Sequence, residues 1–185
     1  MNTTLAGLAA AATALVATAA SAQMQNPTVG GAEMFADKTI VENAVNSPIN
    51  TTLVAAVQAA DLVDTLSGPG PFTVFAPTNA AFERIRDADL NDMLKPENKA
   101  FLQQVLTCHV VSGEVMADAI AGMIASSGGS HPVETLGGCT LNASRDGNRI
   151  MLTDENGRVA NVEIADVDQS NGVIHVIDRV LLPKQ

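Results

Sequence analysis

His109, His131 and His175 are the only imidazoles in the chain, and three histidines would suffice for a zinc site or a general base. Their spacing supports neither: zinc sites normally show close pairs such as His-x-x-x-His or Cys-x-x-Cys, and none occurs here. His109 and His175 each sit in an apolar run that reads as strand, so both are expected to be core or rim residues. His131 stands beside Pro132 in a Gly/Ser-rich stretch and is expected to face solvent. Asp166-x-Asp168-x-Ser170 opens like a calcium loop, but such a loop needs Gly at its sixth position and a bidentate Glu at its twelfth. Those places hold Asn171 and Ile177, and the segment reads as a solvated acidic turn.

Nucleophilic chemistry finds no local support either. There is no Gly-x-Ser-x-Gly elbow, and Ser126, Ser127 and Ser130 fall in an expected loop. Gly68-Pro-Gly-Pro71 is too proline-restricted to cradle phosphate and lacks the Lys-Ser/Thr that would follow. The residues therefore predict a protein that is not an enzyme, with no cofactor and no metal. Asn50-Thr51-Thr52 and Asn142-Ala143-Ser144 fit the glycan acceptor pattern, relevant only in a host that glycosylates exported proteins.

Leu5 to Ala20 is an uncharged Ala/Leu/Val run ending in Ala20-Ser21-Ala22, the small-x-small sequence a signal peptidase cuts. Residues 1–22 are therefore expected to be a signal peptide, although no Lys or Arg precedes the run, and the mature chain to start at Gln23. A membrane-spanning helix would need about 20 strongly apolar residues, whereas this run is short and mostly alanine. Export to a periplasmic or extracellular compartment favours a disulfide between Cys108 and Cys139, the only two cysteines. Two buried free thiols are the alternative reading.

At 185 residues the length fits one domain with a real core. With 46% hydrophobic residues, five Phe and neither Trp nor Tyr, that core must be aliphatic. The formal charge of −10 disfavours nucleic acid and anionic membrane surfaces as partners.

Pro27, Gly30-Gly31 and few apolar residues mark 23–36 as a flexible leader, and the folded unit is expected over 37–183. Ile40, Val41, Ala44 and Val45 repeat at helical spacing until Asn46-Ser47-Pro48. Leu53, Val57 and Ala60 continue the pattern, and Asp61 is expected to cap a short turn holding Leu62, Val63 and Leu66. Phe72 to Phe75 suit a strand that Pro77 ends, and Thr78 is expected to cap the helix carrying Phe82 and Ile85. Pro96 fits a first helical position before the Phe101, Leu102, Val105 and Leu106 stripe. A strand is expected over 107–111, a helix over 116–125 and a loop over 126–129. Strands then follow at 136–144, 149–153, 158–167 and 173–182, with hairpin turns at Asp146-Gly147 and Asn156-Gly157. Helices first and antiparallel strands afterwards predict an α+β domain.

Phe72-Thr-Val-Phe-Ala-Pro-Thr-Asn-Ala-Ala-Phe82 and Asn171-Gly-Val-Ile-His-Val-Ile-Asp-Arg-Val-Leu-Leu-Pro183 together resemble the fasciclin-like domain family. Leu106-Thr-Cys-His-Val-Val-Ser-Gly113 lies between them at the family's order and spacing, and the resemblance covers about Asp37 to Pro183. It implies a β-wedge sandwich decorated by helices, in a secreted or surface-attached protein, with cell adhesion or protein binding as the usual role and no associated reaction. Where the family usually has Tyr-His, this chain has Cys108-His109, so a receptor-binding role does not carry over intact. A crosslink to Cys139 would occupy the space of the missing ring. By the same resemblance, His109, Asn171, His175 and Asp178 are candidate partner contacts. The expected partner is a cell-surface or matrix protein or glycan. The alternative is a periplasmic or extracellular carrier of a small apolar ligand, prompted by the aliphatic composition and seven Met.

Overall fold

The computed structural model describes residues 26–184; the expected signal peptide lies outside the described residues. Thr39 starts the first helix through a reciprocal box: its hydroxyl accepts from the Glu42 amide while the Glu42 carboxylate accepts from the Thr39 amide. That helix is α1 (Ile40–Asn46), and α2 (Thr51–Ala59) and α3 (Val63–Leu66) follow. Asp61 does not cap α3; it takes a left-handed φ of 54° in the corner before it, and Leu62 is the cap. Strand β1 (Phe72–Pro77) leads into α4 (Asn79–Glu83), where the Thr78 hydroxyl accepts from the Ala81 amide at 3.2 Å. Then come α5 (Asp87–Met93), a 3₁₀ turn with Pro96 at its first position, and α6 (Lys99–Thr107).

The second half holds β2 (Val110–Ser112), α7 (Ala117–Ser126), β3 (Ser130–Glu134), β4 (Thr140–Asp146), β5 (Arg149–Thr153), β6 (Val159–Gln169) and β7 (Gly172–Ile177). The strands form one mixed sheet in the order β2-β1-β7-β6-β5-β4-β3, nearly closed into a barrel, with β1 and β7 parallel and every other pair antiparallel. The class is α+β. Three expected boundaries move. The 107–111 strand starts only at Val110, because helix α6 runs on to Thr107 with Cys108 as its cap. Leu136 to Cys139 form a turn before β4, and the last strand stops at Ile177, leaving 178–182 as an irregular buried segment.

Period-two alternation sends neighbouring side chains to opposite faces, and two cores result. Val74, Ala76, Ile174 and Val176 meet α1, α2 and α6 through Ile40, Leu53, Val57, Leu102 and Val105. Phe75 and Ile177 belong to the other core, with Ile120 and Ile124 of α7 and with Leu141 and Leu152. Every residue of β7 is buried, so this strand is the shared wall. Each fully buried Leu, Ile or Val contributes roughly 1.5–3 kcal/mol over exposure.

The chain at 70–72 meets the chain at 171–172 with almost no clearance. A Cβ on Gly172, whose φ is +147°, would lie 1.9 Å from the Phe72 carbonyl oxygen, and one on Gly70, at φ +42°, would lie 2.1 Å from that of Asn171. Only glycine fits either place. Residues 26–36 are not a free leader: Val29 and Met34 enter the helical-side core, and the Asn26 side chain pairs with both backbone groups of Asp168.

Candidate functional site

His109, Asn171 and His175 are buried, with exposures of 2%, 7% and 0%. His109 lies in the tight turn between α6 and β2, not inside a strand. Its Nδ1–H donates to the Val105 carbonyl at 2.7 Å, and its Nε2 accepts from the Leu181 amide at 2.9 Å. One donor and one acceptor make a neutral imidazole. Burial pushes its pKa down to about 4, against the Val105 carbonyl and the Asp154 carboxylate, which favour the charged form. His175 takes the opposite tautomer: Nε2–H donates to the Val115 carbonyl at 2.8 Å and Nδ1 accepts from the Asp166 amide at 3.2 Å. It stacks on Phe75, its register partner, at 5.7 Å, and burial lowers its pKa as well. Asn171 ties three elements, its Oδ1 accepting from the Ile40 amide and its Nδ2 donating to the Leu66 and Gly68 carbonyls. All three side chains are turned inward and spent on the fold.

Asp178 stands at the rim, its side chain 15% exposed. It accepts from the Asn161 amide at 2.7 Å and the Asn161 side chain at 2.9 Å, and Arg84 lies 3.5 Å away. Burial alone would raise its pKa; the Asn161 donors, then Arg84 and Arg179, outweigh it and hold the carboxyl below its usual range. Asp154 plays the matching part nearby. Fully buried, it accepts from the Arg158 Nε, from the Asn156 and Arg158 amides, and from the Leu182 amide. These two carboxylates fasten the irregular 178–182 segment. Beside it opens a groove of about 470 Å³ between α5, α6 and the β5–β6 turn, lined by Arg84, Arg86 and Arg158, by Asp89, Asp92 and Asn98, and by the apolar Ile85, Met93 and Phe101.

A second hollow lies between α1–α3 and the sheet. It measures about 60 Å³ and is lined by Val41, Ala44, Val54, Val57 and Val63, with Gln58 and the His109 ring as its polar groups. The carrier alternative implied an apolar hollow, but sequence could locate neither one, because each is assembled from distant segments. Sequence reasoning also passed over Asp154, whose position just ahead of the Asn156-Gly157 turn was a usable signal for a side chain that closes that turn.

His131 is half-buried on edge strand β3, its Nδ1 2.9 Å from the Ser127 hydroxyl, so the loop expected there is a strand. Asp166 and Asp168 lie in β6, not in a turn: Asp166 forms a bulge at φ 55° and its carboxylate accepts from the Ala117 amide. Of the two glycan acceptor patterns, Asn50 is buried and bonded to Pro77 and Ser47, whereas Asn142 is exposed. Cys108 and Cys139 are joined by a disulfide with Cα atoms 5.4 Å apart. Among the described residues no cluster of three or more His, Cys, Asp or Glu is placed to hold a metal ion.

The fasciclin domain family profile matches residues 49–183. The chain is 46% identical to protein sll1483 of Synechocystis over 145 residues, 78% of this chain and 73% of that protein. It is 34% identical to the cell surface glycolipoprotein MPT83 of Mycobacterium tuberculosis, over 86% of this chain and 67% of that one. Among solved structures, a FAS1 domain pair from the insect cell adhesion molecule fasciclin I aligns with a TM-score of 0.69 at 20% identity. That alignment covers 78% of this chain and 51% of the pair.

Proposed function

Because this chain belongs to the fasciclin domain family, we propose that it is an exported, non-catalytic interaction module that binds a protein or glycan at the cell surface or in the extracellular matrix. The observation that carries this reading is the match along most of the chain to a relative named as a cell surface glycolipoprotein. The interior supports it, since both buried histidines are spent on backbone partners and hold no proton for exchange with a substrate. Its contact surface is the rim around Asp178, where Arg84 is half exposed. The test is capture: immobilised protein starting at Gln23 retains a defined partner from envelope or matrix extracts. Retention that a heat-unfolded sample matches would overturn the reading.

The hollow beneath α1–α3 favours a second reading, a carrier of a small apolar ligand. Its walls are almost wholly aliphatic, and apolar pockets with few polar groups are what such ligands require. At about 60 Å³ it is well below the roughly 150 Å³ of an engineered cavity that holds benzene, so the helices must part for any larger guest. Native mass spectrometry of protein purified from its source separates the readings: a carrier keeps a small molecule, a pure interaction module does not.

A further inference from the structure

The groove beside the 178–182 segment combines features that the rest of this acidic surface lacks. The chain carries 10 basic residues against 20 acidic ones, yet three arginines line this one hollow. Their pairings divide them. Arg86 is spent, both Asp89 oxygens accepting from it at 2.7 and 3.1 Å, and Asp92 of the groove pairs with Lys95. Arg158 gives only its Nε to Asp154 at 3.0 Å, and Arg84 has only the Asp178 carboxylate, 3.5 Å from one terminal nitrogen. Their remaining N–H groups have no partner among the described residues. Each guanidinium is thus paired with one carboxylate that is itself held by backbone donors, which leaves its other N–H groups for a ligand.

The same groove is lined by Phe101, Ile85, Met93 and Leu182, and by Asn98 and the Asp89 and Asp92 carboxylates that Arg86 and Lys95 already neutralise. Guanidinium forks recognise carboxylates, while an aromatic and aliphatic floor takes a flat C–H face. Two features of the molecule narrow the ligand further. A long polyanion is disfavoured by the net charge of −10, so the acid must be short. The walls are helices and a turn, with no open strand edge in the groove onto which a peptide backbone could add. We infer that this groove binds a short carboxylate-bearing oligosaccharide, its acid group held by Arg84 and Arg158 and a sugar face resting on Phe101. The inference deepens the interaction-module reading and rests on it.

Digalacturonate is the probe, and its dimethyl ester the uncharged counterpart of the same shape. Titrated into nitrogen-15-labelled protein, the acid shifts amide signals around Arg84 to Arg86, Phe101 and Arg158, and the ester binds roughly tenfold more weakly, the loss of one charge-assisted contact. Arg84→Gln, at a half-exposed position, weakens the acid by a similar factor and leaves the ester unchanged; Arg158→Lys, which keeps a cation on Asp154, gives the same pattern. Equal binding of acid and ester, shifts elsewhere, or no shift at all overturns the inference. So does tighter binding of a tripeptide with a free C-terminal carboxylate, which hands the groove to peptide ends. If wild-type protein captures a surface partner but takes no sugar, the groove assignment falls alone; if it takes the sugar and captures nothing, the groove stands and the capture-based reading falls.

Discussion

His109 and His175 show how a residue type associated with chemistry becomes a structural part. Each has one nitrogen donating and the other accepting, so adding a proton would turn an acceptor against a backbone N–H. Stability should depend on pH accordingly. An unfolded histidine takes its proton near pH 6.5, whereas His109 in the fold does so only at about 4. Between those values the unfolded chain holds the extra proton, so the His109 contribution is complete above the higher pH, declines on acidification, and is gone below the lower one. Its size is about 3 kcal/mol, and His175, lowered by burial in the same direction, adds in the same sense. Urea midpoints should fall steadily between pH 7 and 4, and His109→Ala, less stable at neutrality, should show a flatter profile; an equally steep one would assign the slope to carboxylates. Asn171 gives a second residue-scale prediction. Asn171→Ala strands the Ile40 amide and the Leu66 and Gly68 carbonyls, a loss of about 2–4 kcal/mol by urea denaturation. A loss under about 1 kcal/mol would mean that water fills the gap.

At the scale of elements, the disulfide sits where the sheet nearly closes. β2 is one edge and β3 the other, and the turn at 136–139 reaches across: the Leu136 amide donates to the Val110 carbonyl and the Gly137 amide to that of Thr107. Cys139 follows in the same turn and is bonded to Cys108, 31 residues away. Reduction should remove about 3–4 kcal/mol in the chain-entropy account, yet leave a folded protein, because the two hydrogen bonds across the seam remain. Denaturation with and without dithiothreitol measures it; an unchanged midpoint would show that the seam holds without the bridge. This corner also marks where sequence stopped being legible. The Thr78 cap, the Pro96 start and the 149–153 strand could be read because each rests on residues within a few positions. The 107–111 strand could not: Thr107 is β-branched, but its side chain bonds back to the Gln103 carbonyl and α6 continues through it. The parallel β1–β7 pair joins segments almost a hundred residues apart, and no local pattern encodes a partner. For the same reason His109 and Asp178 stood out from sequence while the arginine groove did not.

Across the whole molecule, β7 divides two cores of unequal finish. The α7 side, packed by Phe75, Ile120, Leu141 and Leu152, keeps a hollow of only about 30 Å³. On the helical side, the cavity lies where three short helices cover a twisted sheet, and none of α1, α2 or α3 exceeds nine residues. Helices this short draw their stability from packing more than from their own hydrogen bonds, so a gap beneath them is felt directly. Val54 is half-buried on α2 and borders it. Val54→Ile adds one methylene there without changing the backbone preference of a β-branched residue, and should raise stability by up to about 0.8 kcal/mol. Thermal unfolding of recombinant protein reads this, and a rise means the space is empty in the free chain. Protein purified from its source provides the contrast: if an apolar guest fills the hollow there, the same substitution competes with it, and the variant should lose both the bound mass and the extra stability that the guest confers. A recombinant variant no more stable than wild type would instead mean that α1–α3 already settle into the gap.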